Sequence, residues 1–245
     1  MLEPLVLIPG MMSDSRGFLP QIVELSWETS VHVAPPLTGE TIEEMGDAIL
    51  ARAPQRFALC GHGLGGMVAM DLLNRAPERI TRLALMDTNC QSELPQVAAA
   101  REKRIVAARA GRLAEAMQDE LRPEHIADGD QREAIWQMMQ DMALDLGVET
   151  FIRQSRVLQK RPDQQGILRK SRTPTLILCG EADTLFPVRR HEFMAHLMPN
   201  AKLEVVPGAG HLPALENPNA VSASLRNWLS WPISAGRASS TTNWT

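Results

Sequence analysis

Short apolar runs alternate along this chain with stretches whose apolar positions recur every three to four residues. The runs Leu5 to Pro9, Thr29 to Ala34, Phe57 to Cys60, Leu83 to Asp87, Thr175 to Cys179 and Leu203 to Val206 read as strands. Helical periodicity covers Phe18 to Glu24, Ile42 to Ala53, Leu64 to Ala76, Arg189 to Leu197 and Asn217 to Leu229. Strands that alternate with helices and are apolar on both faces predict a mainly parallel α/β sheet with helices flanking it. Pro35, Pro36, Pro174, Pro199 and Pro207 fall between these elements, where a missing N–H costs nothing.

One interval breaks the alternation. From Gln91 to Asp163 the pattern is helical, over Val97 to Leu121, Arg132 to Leu146 and Val148 to Leu158, with breaks at Pro123 and Gly147. We therefore expect a core made of residues 1–90 and 164–233, with residues 91–163 inserted as a helical lid over one end of the sheet. In open α/β sheets that end is where ligands bind. Residues 234–245 are rich in Ser, Thr and Gly and read as a flexible tail, native or a cloning remnant.

Composition narrows the field. The chain has 245 residues, 44% hydrophobic, with a formal net charge of −4, which suits a globular domain and gives no basic excess for nucleic acid. Cys60, Cys90 and Cys179 are odd in number and widely spaced, so buried free thiols are expected rather than a disulfide or metal framework. The apolar N-terminus carries Glu3 and no basic region before Pro9-Gly10, so it reads as a strand and not a signal peptide. No apolar stretch approaches membrane-spanning length. The expectation is a cytoplasmic monomer or homodimer acting on a small molecule, with no cofactor, metal, nucleic acid or membrane.

The candidate chemistry centres on Gly61-His62-Gly63-Leu64-Gly65-Gly66, directly after the apolar run Phe57 to Cys60. Two readings fit it. Gly61, Gly63 and Gly66 match the G-x-G-x-x-G fingerprint that cradles a dinucleotide pyrophosphate, with Asp87 placed as a ribose-binding acid. Alternatively, Gly61 and Gly65 are the small residues of a G-x-S-x-G elbow whose central serine is replaced by Gly63. The fingerprint normally follows the first strand of its sheet, and it leaves the C-terminal motifs unexplained. Those are Cys179-Gly180-Glu181-Ala182-Asp183, a strand running into an acidic loop, and Gly208-Ala209-Gly210-His211, a glycine loop bearing a histidine.

Together with Leu7-Ile8-Pro9-Gly10-Met11, these motifs make the chain resemble an α/β-hydrolase of the lid-bearing esterase and lactonase type from Leu5 to Trp231. The resemblance implies Gly63 at the nucleophile position, Asp183 and His211 as acid and base, and the backbone N–H groups of Met11 and Leu64 as an oxyanion hole. It departs from the family at Gly63, which has no side chain to attack a carbonyl. Two accounts compete: an engineered serine-to-glycine change, favoured because the rest of the motif is intact, and a natural protein that binds a ligand or uses only His211 and Asp183.

Other residues are weaker candidates. Trp136, Met138, Met139 and Met142 form a stripe in the insertion that fits either core packing or a pocket wall, and Met12, Phe186 and Leu212 flank the motifs as further pocket candidates. Arg101, Arg104, Arg109 and Arg112 read as a solvated helix face. His62 reads as support for the turn, Asp87 as a structural carboxylate at a strand end, and His191 and His196 as flanking a solvated helix. His32 and His125 show no metal-ligand spacing.

Overall fold

The computed structural model describes residues 3–233; the expected tail, 234–245, lies outside the described residues. Its centre is a six-stranded sheet in the order β2-β1-β3-β4-β5-β6, with every neighbouring pair parallel. The strands are β1 Leu5–Ile8, β2 Val31–Val33, β3 Phe57–His62, β4 Ile80–Met86, β5 Thr175–Gly180 and β6 Ala201–Val206. The helices are α1 Leu19–Leu25, α2 Ile42–Leu50, α3 Leu64–Arg75, α4 Pro95–Arg109, α5 Leu113–Glu120, α6 Arg132–Lys160, α7 Gln165–Lys170, α8 Val188–Leu197, α9 Pro213–Glu216 and α10 Pro218–Leu229.

The four central strands are buried along their length, which is why they read as unbroken apolar runs. Successive side chains still serve opposite faces. Val6, Ile8, Phe57, Leu59, Leu83, Leu85 and Ile177 pack with α2, α3, α7 and α8, whereas Leu5, Leu7, Ala58, Cys60, Ala84, Leu176 and Leu178 face α1 and α10. Small residues on the second face leave room for Phe18 and Trp228, both fully buried there. The edge strands β2 and β6 are only partly buried and carry a polar residue at every second or third position.

Between β4 and β5 the chain is helical, as the sequence predicts, with one further break. The stretch expected as one helix from Val97 to Leu121 divides into α4 and α5. The break expected at Gly147 is present: α6 is two helical stretches that meet at a kink where Gly147 adopts φ 79° and ψ 173°, a conformation closed to most L-residues. These helices share an apolar cluster with Met12 and Leu212, on loops after β1 and β6, and with Leu215 of α9. α4, α5 and α6 thereby pack against the loops that follow those two strands. No helix among the described residues is long and apolar enough to cross a membrane. All three cysteines are buried and free.

Candidate active site

β3 delivers the glycine motif to the C-terminal edge of the sheet. Gly63 is the residue before α3 and adopts φ 53° and ψ −117°, outside the regions L-residues favour. Its N–H donates to the Met86 carbonyl at 3.0 Å, and its own carbonyl accepts the Thr88 hydroxyl at 2.6 Å. The turn is thus clamped to the end of β4. The neighbouring glycines have steric causes. A Cβ at Gly61 would lie 2.4 Å from the Gly65 carbonyl oxygen, one at Gly65 would lie 2.1 Å from that of Ile8, and one at Gly66 would meet Thr88 at 2.7 Å. At Gly63 the nearest atom to a Cβ is Gly10 Cα at 3.6 Å, so this position has room for a side chain.

The C-terminal motifs converge on the same place. His211 Nδ1 lies 3.0 Å from Asp183 Oδ2, and Asp183 Oδ1 accepts the backbone N–H groups of Leu185 and Phe186 at 2.8 and 3.0 Å. Burial opposes charge on Asp183, but the facing His211 and these N–H donors outweigh it and hold the carboxyl below its ordinary range. The histidine loop is pinned by Glu216 of α9, whose carboxylate accepts N–H groups from Gly210, Leu212 and Ala127, each at 2.7 Å. The His211 N–H donates to the His125 carbonyl at 2.8 Å. His211 is left 8% exposed, and its Nε2 has no protein partner among the described residues.

His62 donates from Nε2 to the His211 carbonyl at 2.8 Å. Burial first, and the nearby His211 second, push its pKa down to about 3, so it is a neutral prop and not a base. The backbone N–H groups of Met11 and Leu64 find no acceptor among the described residues. Met12, by contrast, gives its N–H to Gln154 of α6 at 2.8 Å.

A cavity of about 450 Å³ opens against this group. Gly63, His211, Met11 and Leu64 line it, together with Met139, Phe186 and Leu212. Met12, Trp136, Met138 and Met142 do not line it. Met12 and Met142 are fully buried, Met138 packs into the insertion's apolar cluster, and Trp136 spends its N–H on the Leu121 carbonyl at 2.9 Å. A wider surface depression of about 920 Å³ lies near the N-terminal ends of β4 and β5 and contains none of the groups just described.

Three residues differ from their sequence reading, Arg101, Arg104 and His191. Arg101, expected in solvent, is 7% exposed and faces the cavity, because Glu93 and Glu120 turn it inward at 2.7 and 2.8 Å. Arg104 is drawn in beside it by Glu120 at 2.6 Å, whereas Arg109 and Arg112 are solvated. His191, expected on a solvated helix, is fully buried, its Nε2 accepting the Thr88 N–H at 3.1 Å. Asp87 is fully buried and near the pair: one ligand atom each from Asp87, Asp183 and His211 lie within 4.8 Å of one another. Thr88, Gln154, Glu216 and Arg190 carry no motif and went unseen in the sequence; an Asp-Thr step directly after a buried strand was the one available signal.

A parallel sheet with a strand–turn–helix elbow after β3, an acid loop after β5 and a histidine loop after β6 defines the class. The chain belongs to the alpha/beta hydrolase family, whose family model matches residues 5–224. Among similar proteins is a pimeloyl-[acyl-carrier protein] methyl ester esterase of Aromatoleum aromaticum, 29% identical over 76% of this chain and 79% of that protein. A putative carbamate hydrolase of Yersinia enterocolitica is 24% identical over 76% of this chain and 68% of that protein. Two solved structures share the fold. A thermophilic esterase from Thermogutta terrifontis has a TM-score of 0.83 at 24% identity, covering 93% of this chain and 89% of that one. The enol-lactonase of Burkholderia xenovorans has a TM-score of 0.84 at 20% identity, covering 94% and 92%.

Proposed function

We propose that this chain is a serine-hydrolase-type carboxylic ester hydrolase, for esters, lactones or thioesters, in which glycine replaces the nucleophilic serine at position 63. One observation carries this reading. Of the three glycines of the elbow, Gly61 and Gly65 have no room for a Cβ, but Gly63 has nothing nearer than 3.6 Å to where one would stand. That open space supports a side chain, such as a serine's, as the family's usual occupant of this position. His211 is then the base that would relay the proton, Asp183 its orienting acid, and the unpaired N–H groups of Met11 and Leu64 the donors for a developing oxyanion. Met139, Phe186 and Leu212 form the acyl wall under the helical lid.

Loss of a serine nucleophile lowers kcat by about 10⁶ and leaves roughly 10³ to 10⁴ over water from oxyanion donors and binding. The chain as it stands therefore binds acyl substrates with little turnover. The test is Gly63→Ser, assayed on a panel of small esters that includes methyl esters, the bond named for the Aromatoleum relative. Activity and labelling of residue 63 by a serine-directed phosphonate are expected. A Gly63→Ser protein inert to both sinks the reading.

The same room supports a second reading, in which the glycine is natural and a water occupies the vacated place. The unpartnered His211 Nε2 would take a proton from that water as its oxygen bonds to the carbonyl carbon, and would return the proton to the leaving alkoxide. This version requires slow ester hydrolysis by the unaltered chain that His211→Ala abolishes.

A further inference from the structure

The cavity that holds Gly63 and His211 has a second region rich in guanidinium groups. Glu93 and Glu120 are shared among three guanidiniums. Glu93 pairs with Arg101 at 2.7 Å and Arg161 at 2.6 Å, and Glu120 pairs with Arg101 at 2.8 Å and Arg104 at 2.6 Å. Asp119 reaches Arg104 only at 3.6 Å, from an exposed position it also shares with Arg122. Two carboxylates thus serve three cations in a setting where burial makes each uncompensated charge costly.

Arg190, at the start of α8, adds a fourth guanidinium. It lines the same cavity and is half-buried, yet among the described residues no carboxylate lies within 4 Å of it. Among the described residues its guanidinium makes one hydrogen bond, 3.3 Å to Gln91 Oε1, which leaves most of its five N–H donors without an acceptor. Asn89, also on the cavity wall and 5% exposed, accepts the Gln91 N–H on Oδ1, while its Nδ2 has no protein acceptor among the described residues. The remaining acid at the rim, Asp163, is exposed and turned to the N–H groups of Gln165. Charges on the cavity wall balance in number, Arg101, Arg161 and Arg190 against Glu93, Glu120 and Asp163, but Arg190 is the cation left without a carboxylate among the described residues. Burial, opposed by Glu93 and reinforced by Arg101 and Arg190, lowers the Arg161 pKa, as expected of a guanidinium among its like.

We propose that the cavity selects an acyl substrate bearing a free carboxylate, held by Arg190 with the Asn89 amide beside it. The chemical class is a monoester of a dicarboxylic acid, or a lactone that keeps a free carboxylate. A planar guanidinium with paired N–H donors matches a carboxylate in a way that a neutral ester end does not. The inference rests on the reading of this cavity as an acyl-substrate site.

The test uses the unaltered protein and calorimetric titration with monomethyl succinate, adipate and suberate, each against its dimethyl ester. At least one monoanion is expected to bind about tenfold more tightly than its neutral partner, a difference of about 1.4 kcal/mol. Arg190→Gln should erase that preference and leave neutral-ester affinity unchanged, and Arg190→Lys should restore part of it. Equal affinities within every pair, no binding by any of the six, or a preference that survives Arg190→Gln overturns the proposal. In the Gly63→Ser protein, Arg190→Gln should raise KM for the monoester with kcat nearly unchanged. A Gly63→Ser protein inert to all six, with the anion preference intact in titration, would remove the hydrolase reading and leave the carboxylate site standing. Turnover of mono- and dimethyl esters with equal KM would do the reverse.

Discussion

Asp87 and Asp183 bring two buried carboxyl groups to one histidine, with ligand atoms within 4.8 Å of each other, and their environments drive them apart. Asp183 receives two backbone N–H groups and His211. Asp87 accepts one backbone N–H, from Gly180 at 2.9 Å, and lies beside the Asp183 carboxyl. Burial first, and the charge of Asp183 second, raise Asp87 well above the ordinary carboxylate range, while Asp183 is held below it. Of the two, Asp87 favours its protonated form, while Asp183, the residue that faces the base, favours its charged form.

This partition has a measurable pH signature. A carboxyl whose folded pKa is raised stabilises the fold fully below its unfolded value of 3.8, and loses that contribution as pH rises toward the folded pKa. Asn mimics the protonated acid at all pH values. Asp87→Asn should therefore gain on the unaltered protein by about 1.4 kcal/mol per pH unit above pH ~4, until the folded pKa is reached. Urea denaturation from pH 4.5 to 7.5 reads the slope; parallel curves for the two proteins would mean Asp87 ionises normally.

His191 predicts the opposite trend. Burial lowers its pKa from 6.5 to about 4, and the neutral ring's Nε2 accepts the Thr88 N–H. The neutral ring contributes stability in full above 6.5, and that contribution is lost as pH falls toward 4, where the unfolded chain takes up the proton first. His191→Gln keeps an acceptor for Thr88 but cannot titrate. The drop in unfolding free energy between pH 7 and pH 4.5 should shrink by up to about 3 kcal/mol in this variant. An unchanged drop would place the acid sensitivity elsewhere.

The elements that were legible in the sequence share one property: their residues answer to neighbours close along the chain or to a face buried throughout. The runs 57–60, 83–87 and 175–179 were visible because β3, β4 and β5 are apolar on both sides. The glycine motif was visible because Gly61 and Gly65 touch backbone only a few residues away or on the adjacent strand. What escaped is set by contacts across long stretches of chain. Arg101 looks like any surface arginine until Glu93 and Glu120 are folded onto it, and His191 looks solvated until Thr88 meets it. Glu216 lies in a four-residue helix too short for periodicity to register, yet it fixes the loop that carries His211. The methionine stripe shows the limit from the other side. Helical spacing put Met138, Met139 and Met142 on one segment, but only tertiary packing decides that Met139 alone of the three reaches the cavity.

Arg101 also tests the weight of the insertion's buried ion network. Its guanidinium lies between Glu93 and Glu120, and removing it leaves buried carboxylate oxygens facing the cavity with one cation each. Arg101→Ala should cost about 3 kcal/mol, the lower end for breaking a buried pair, since Arg161 and Arg104 remain. Arg112→Ala, which breaks a pair with Glu115 whose side chains are 50% and 67% exposed, should cost at most about 1 kcal/mol. Chemical denaturation of the two variants side by side provides the comparison, and similar losses would refute the buried network as a structural element.

Gly63 and Gly61 separate strain from collision within one turn. At Gly63 the backbone, with φ 53° and ψ −117°, is unfavourable for any L-residue, but the space for a Cβ is open. Gly63→Ala should therefore lower stability by about 1–3 kcal/mol, the usual cost of such a conformation, while the protein still folds and keeps its ligand cavity. At Gly61 the added Cβ would stand 2.4 Å from the Gly65 carbonyl oxygen, so Gly61→Ala must push α3 away from β3. That change should cost clearly more than Gly63→Ala and loosen the turn that holds residue 63. Gly63→Ser follows the Gly63→Ala rule, so restoring a nucleophile at this position is expected to lower the melting temperature as activity appears. Thermal unfolding of the three variants orders them, and a Gly63→Ser protein that melts above the unaltered chain would show that the elbow is not strained at residue 63.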